Sequence, residues 1–294
     1  MTIEEFLKNL LASQDLLPEQ EKTLETNKKE VTDFLRAEFG AAPVIKYAGS
    51  HAKGTMIRES YDLDIVCYFP STDSRTLKEI REDISAHLSK RYVMQDKASA
   101  ERITNLKNIS APNGYHIDVV PGKFIEGSKD VFLHVAYGEK ERMQTNLKTH
   151  IDYIANSGCV DVIRLVKLWN CRNNVDTKTF VLEIFVVKAL SESRNKGNLK
   201  AAFLEVLEAM KNQFGTLQLV DPANSNNIVS QIISPSHRVM VAKMSEEAWN
   251  KISKSDNLAD WKSAFREDPG NNSFTFTPSN KPTEIKNPSG QWTW

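Results

Sequence analysis

The chain has 294 residues, and its 38 Lys and Arg balance 38 Asp and Glu, so the formal charge is zero. Moderate apolar content and no long hydrophobic run leave room for two lobes around a real core and argue against a membrane span. Neutrality argues against an obligatory long RNA or DNA partner, because dedicated nucleic-acid binders carry a basic excess. Cys67, Cys159 and Cys171 are odd in number and scattered, which suits reduced thiols better than disulfides or zinc. With early acidic residues and no signal-peptide pattern, the expected location is cytoplasmic.

In chain order, Thr2 and Glu5 form a capping-box pattern that predicts a helix over Ile3–Leu11. A longer helix is predicted from Pro18 to Phe39, closed by Gly40. Val44–Ala48 reads as a strand. It runs into Gly49-Ser50-His51-Ala52-Lys53-Gly54-Thr55, a turn whose N–H groups can form an anion-binding concavity. Ser50 is the candidate contact to a terminal phosphate, and Lys53 adds charge. The turn is neither a Walker motif nor a dinucleotide-binding fingerprint.

Asp62–Phe69 is rich in β-branched and aromatic residues and reads as a strand. Asp62 and Asp64 then share a face, with Cα atoms roughly 6–7 Å apart. Two such carboxylates repel unless cations neutralise them, and magnesium takes carboxylate and phosphate oxygens. An isolated Asp-x-Asp is usually a solvated strand face; the turn just upstream reverses those odds. A helix is expected over Thr76–Lys90. Tyr115–Val120 alternates like a strand and can pair as a hairpin with 102–110. Asp118 lies mid-strand between apolar neighbours, where a carboxylate is costly unless paired or metal-bound. It is the candidate third carboxylate of a two-metal site. His116, two residues earlier, reads as an ordinary hydrogen-bonded strand histidine.

Asp130–Ala136 is a further candidate strand. From about His150 the chain reads as helical, over 160–172, 179–194, 199–213 and about 245–266. In the first of these, Arg164, Lys167 and Asn170 fall at i, i+3 and i+6 on a shared polar side. Lys167 is placed to reach a triphosphate, Asn170 to read a base edge, and Arg164 to be solvated or salt-bridged. Residues 268–294, rich in Pro, Asn, Ser and Gly, are expected to form a loosely packed tail, with Trp292 and Trp294 at its end.

Gly-Ser-x-x-Lys-Gly-Thr, Asp-x-Asp and a later strand Asp resemble the polymerase-β-type nucleotidyltransferase superfamily. The second half resembles its oligoadenylate synthetase and cyclic GMP-AMP synthase branch. Val162–Trp169 stands where that branch has Arg-Leu-Val-Lys-x-Trp, Lys178–Glu183 where it has Lys-Ser-Tyr-x-Leu-Glu, and Asp221–Asn224 where it has Asp-Pro-Ala-Asp. The compact size is most similar to the bacterial cyclic-oligonucleotide synthases of anti-phage defence. Thr179 replaces the usual Ser and keeps a hydroxyl; Phe180 replaces Tyr and keeps a stacking face. No zinc-ligand cluster of the DNA-sensing animal enzyme is present.

The resemblance implies an α+β fold: a mixed β-sheet with helices, a C-terminal helical lobe, and the active site in the cleft between them. The expected division is a nucleotidyltransferase core over 1–148, a helical lobe over 149–267 and the tail over 268–294. The implied site has Asp62, Asp64 and Asp118 as catalytic and metal ligands. Gly49, Ser50, Lys53, Lys167, Thr179 and Asn170 would contact nucleotide. Two Mg2+ ions are implied, with Mn2+ able to substitute. The implied substrates are NTPs (ATP, UTP, GTP or CTP), joined with release of pyrophosphate into a cyclic di- or trinucleotide, with room for a regulatory protein partner. The alternatives are a nucleotidyltransferase acting on a macromolecule or small molecule, an RNA-dependent oligoadenylate synthase, and an inactive nucleotide-sensing scaffold. The bases joined, the linkage and the ring size are not legible.

Overall fold

The computed structural model describes residues 1–104, 115–136 and 141–267. Local signals place the first helices. In α1 (Ile3–Ala12) the Glu5 N–H donates to Thr2 Oγ1 at 3.2 Å, and the Thr2 N–H donates to Glu5 Oε2 at 2.7 Å. This reciprocal cap satisfies donors that a helix start leaves free. Pro18 opens α2 (Pro18–Phe39), and Gly40, at φ 67°, closes it. Thr76 caps α4 (Leu77–Leu88) with the same box. The stretch expected to be an open turn is a short helix, α3 (Gly49–Lys53), stopped by Gly54 at φ 71°.

The seven-stranded sheet has the order β1 (Val44–Tyr47), β2 (Leu63–Phe69), β5 (Ile117–Phe124), β4 (Glu101–Ile103), β3 (Met94–Asp96). β6 (Val131–His134) pairs with the later part of β5, and β7 (Arg142–Thr145) pairs with β6. Among the described residues only β2 and β5 run parallel; the other pairs of this sheet are antiparallel. Along one edge of β5 the partner changes from β4, up to Val119, to β6, from Gly122. Pro121, which has no N–H to donate, occupies that change-over.

Strand alternation sorts the core. Leu63, Ile65, Cys67, Phe69, Ile117 and Val119 pack with α2 and α4. Val66, Tyr68, Val120, Val131 and Leu133 face the other way. They join a continuous apolar cluster with α1 and the later helices: α5 (Leu147–Ala155), α6 (Val160–Arg172), α7 (Thr179–Ala189), α8 (Leu199–Gln213), α9 (Pro235–Ile252) and α10 (Leu258–Ala264). Each fully buried aliphatic or aromatic side chain there contributes about 1.5–3 kcal/mol.

Several boundaries differ from the sequence reading. The helix expected over 245–266 is two, because Ser234 and Pro235 start α9 early and residues 253–257 break it from α10. The helix expected over 179–194 ends at Ala189. β3, β7 and a small hairpin, β8 (Val220–Asp221) with β9 (Asn224–Ile228), were not expected. The rest of the proposed hairpin strand and the tail with Trp292 and Trp294 lie outside the described residues. Among the described residues no helix is long and apolar enough to cross a membrane.

Candidate active site

Sheet register assembles the carboxylates. Asp64 and Asp118 are direct partners across the parallel β2–β5 pair, and Asp62, two residues before Asp64, shares its side. Both lie on the sheet face that α1 and the later helices cover. Asp118 is 3 % exposed. Arg102, its register partner on β4, donates from Nε and Nη2 to both its oxygens, each at 2.7 Å. A mid-strand carboxylate is tolerable because this bidentate pair compensates it. His116 Nε2 is 3.2 Å from Asp62 Oδ2 and 3.7 Å from Asp118 Oδ2. His116, just before β5, thus stands at ion-pair distance from two site carboxylates and lies inside the site.

The two aspartates of β2 differ electrostatically. Burial, then the negative charges of Asp62 and Asp118, push the Asp64 carboxyl well above the usual carboxylate range. Burial also works to raise Asp62. The hydrogen bond and charge of His116, with Lys167 and Arg102 behind, outweigh it and hold Asp62 below its usual value.

Gly49 carries the close approach. Its φ is 58°, and a Cβ placed there would lie 1.6 Å from Asp64 Oδ2. Only glycine lets the backbone of α3 touch that carboxylate. The Ala48 N–H donates to the Asp64 carbonyl at 2.9 Å, and the Thr55 N–H to the Ser50 carbonyl at 3.0 Å. These bonds fix part-exposed Ser50 next to Gly49, at the start of α3.

Lys53 and Lys167 meet at one buried acid, Glu183 on α7. Lys53 Nζ donates to Glu183 Oε2. Thr55 Oγ1 donates to Glu183 Oε1 at 2.5 Å. Lys167 Nζ donates to the Thr55 carbonyl at 2.9 Å and lies 3.7 Å from Glu183 Oε1. Burial opposes ionisation of Glu183, but the charges of Lys53 and Lys167 prevail and lower its pKa. Burial lowers Lys167, which the Glu183 charge opposes. Thr179 opens α7, half-buried and one turn before Glu183 on the same side.

Two expectations need correction. Lys167 and Asn170 do not lie on a solvated side; they are 3 % and 7 % exposed, because α6 is covered on this side too. The Asn170 amide is engaged within the chain. Its Oδ1 accepts from the Thr177 N–H at 3.0 Å and its Nδ2 donates to the Thr177 carbonyl at 3.3 Å, stapling the loop before α7. Phe180 does not offer an open stacking face; it is buried, its ring 5.0 Å from that of His150. Arg164 is salt-bridged, to Asp15 at 2.6 Å.

Arg102 and Glu183 were missed as site residues. Arg102 enters through the β4–β5 register, which the sequence does not specify. Glu183 was visible only as the last member of a motif, an acid amid apolar helix neighbours. Among the described residues no three acidic, Cys or His side chains are arranged ready to enclose a cation. The donor set nevertheless fits a hard divalent cation. Three crowded carboxylates, one with its pKa driven up by burial and then by its neighbours, form a like-charge cluster that such a cation relieves.

A parallel β2–β5 pair carrying these acids beneath a glycine-led helix defines a nucleotidyltransferase fold, and residues 28–143 match the family model of a nucleotidyltransferase domain. The chain has the polymerase-β-like fold of the bacterial CD-NTases, with the nucleotidyltransferase domain match lying over its sheet. It is 25 % identical over 224 residues to cyclic AMP-AMP-AMP synthase of Escherichia coli (strain MS 115-1), covering 65 % of this chain and 70 % of that one. The CdnC:HORMA-deltaN complex of E. coli MS115-1 matches at TM-score 0.68 and 17 % identity, over 90 % of this chain and 97 % of that one. The GTP complex of the Bradyrhizobium diazoefficiens CD-NTase CdnG matches at TM-score 0.71 and 12 % identity, over 90 % and 95 %.

Proposed function

We propose that the chain joins NTPs into a cyclic di- or trinucleotide with release of pyrophosphate. The observation that carries this is the register pairing of Asp64 with Asp118, Asp62 alongside, directly under the Gly49–Ser50 backbone. In this reading the backbone and hydroxyl of Ser50, with Lys53, Lys167 and Thr179, hold the triphosphate. Asp62, Asp64 and Asp118 are the residues to hold divalent cations, with Arg102 and His116 releasing their oxygens. When bound, such cations supply charge neutralisation of the triphosphate and a more acidic acceptor hydroxyl. The acceptor ribose oxygen forms a bond to the α-phosphorus, the bond to the β-phosphate bridging oxygen breaks, and pyrophosphate leaves with that electron pair. Asp118 is the candidate base for the hydroxyl proton. A second transfer, on the linear product turned around, closes the ring.

Ring closure is supported by the similarity to cyclic AMP-AMP-AMP synthase. NTP substrates are supported by the ATP and GTP complexes of CdnC and CdnG, and a regulatory protein partner by the HORMA-deltaN complex of CdnC. The anti-phage setting follows from the sequence resemblance. Purified protein incubated with the four NTPs and magnesium or manganese is expected to yield cyclic products by mass spectrometry. Asp62→Asn and Asp64→Asn are expected to stop pyrophosphate release; release at the original rate in both would sink the reading.

A further inference from the structure

The buried acid Glu183 lies beside the carboxylate trio, and the transfer reaction as proposed gives it no role of its own. Glu183 is 1 % exposed and takes donors from Lys53 at the end of α3 and Thr55 just beyond it, with the Lys167 ammonium of α6 at ion-pair distance, 3.7 Å away. Two buried ammonium groups therefore share one carboxylate. Buried charge is costly unless paired, so this arrangement leaves one positive charge unmatched within the cluster. The imbalance is aimed at the site: the Lys53 charge is felt at Asp64, and those of Asp62 and Asp64 at Lys167.

We infer that Glu183 is a positioning residue that stands in for a polyphosphate, holding Lys53 and Lys167 ready and yielding them when the triphosphate arrives. This rests on reading the cleft as a triphosphate site. A free lysine side chain surrenders rotamer entropy when it is fixed, and Glu183, together with the Thr55 carbonyl, holds both before any ligand is present. The same carboxylate competes with the ligand for both ammonium groups, which keeps pyrophosphate from being held too tightly to leave. Thr55 sets the balance. Its hydroxyl occupies Glu183 Oε1 at 2.5 Å, while Lys167 stays 3.7 Å from that oxygen and bound to the Thr55 carbonyl instead. Removing the hydroxyl lets Oε1 capture Lys167.

Two variants that leave both lysines in place should therefore act with opposite sign. In the full chain, Glu183→Gln should bind inorganic tripolyphosphate about ten-fold tighter by calorimetry, the size of one charge-assisted contact released. Its kcat and KM for pyrophosphate release from ATP should fall together. Thr55→Val should bind tripolyphosphate several-fold more weakly. Melting curves show which variants are folded. Tripolyphosphate affinity equal to or below wild type in folded Glu183→Gln overturns the inference. If that variant does not fold, wild-type affinity in Thr55→Val overturns it alone. Wild-type protein that neither binds tripolyphosphate nor releases pyrophosphate removes the nucleotidyltransferase reading as well. Wild-type binding with both variants unchanged removes only the role given to Glu183.

Discussion

At the scale of single residues, the site is built on one missing side chain. Gly49 holds a left-handed φ of 58° and leaves no room for a Cβ, which would fall 1.6 Å from Asp64 Oδ2. Gly49→Ala carries two penalties: about 1–2 kcal/mol for an L-residue in that conformation, and a forced displacement of Asp64 or α3. A misplacement of about 1 Å at a reacting centre can cost on the order of 100-fold in rate. Gly49→Ala should therefore lower pyrophosphate release by at least about that factor while lowering the melting temperature only modestly. Near-wild-type turnover in this variant would mean that Asp64 need not sit where the backbone of α3 holds it. Asp62 and Asp64 were legible because their signal is local, a two-residue period and a glycine-led segment just upstream, and Asp118 because it lies mid-strand between apolar neighbours. Arg102 was not, because it meets Asp118 only through the pairing of β4 with β5. Helical spacing put Lys167 and Asn170 on one side of α6 correctly, but spacing does not say what covers that side, and both are buried.

At the scale of elements, a side chain expected to face a base holds a loop. The Asn170 amide satisfies both the N–H and the carbonyl of Thr177, and so sets how α6 hands over to α7, which carries Thr179 and Glu183. Truncation leaves buried backbone groups unmet, at about 1–3 kcal/mol. Asn170→Ala should lower the melting temperature accordingly, yet leave the ratio of kcat/KM among the four NTPs unchanged. A changed preference among bases at unchanged stability would return Asn170 to a base-reading role. The helices with a written start were legible: Thr2, Pro18 and Thr76 each mark one. The β8–β9 hairpin was not, because Asn224-Ser225-Asn226-Asn227 lacks the apolar alternation of a strand. Side chains hold it instead. Asp221 accepts from the Ala223 N–H at 2.8 Å and from Asn227 Nδ2 at 2.9 Å, and lies 2.7 Å from His150 Nε2 on α5. Buried Asp221 thus fastens that hairpin to α5.

For the whole molecule, the question is whether the sheet and the later helices fold as one unit. The first helix argues that they do. Ile3, Phe6, Leu7, Leu10 and Leu11 are buried in the cluster that contains α6, α8 and one sheet face. Glu4 accepts from the N–H groups of Leu199 and Lys200 at 3.2 and 3.1 Å, capping α8 from across the chain. The Phe6 and Phe265 rings meet edge-on at 6.3 Å. Five such side chains represent on the order of 10 kcal/mol of burial as an upper bound, comparable with the entire stability of an ordinary domain. Val66 and Val120, in the same cluster, each follow a site carboxylate by two residues on the same sheet face. Loosening α1 should therefore be felt at the site. Deleting residues 1–12 is expected to lower the melting temperature of the whole chain in a single transition. Hydrogen exchange should show amides of 63–69 and of 199–213 losing protection together. If 199–213 exchanges freely while 63–69 keeps its wild-type protection, the two parts have independent cores, and the geometry of the cleft is set by their docking instead of by a shared interior.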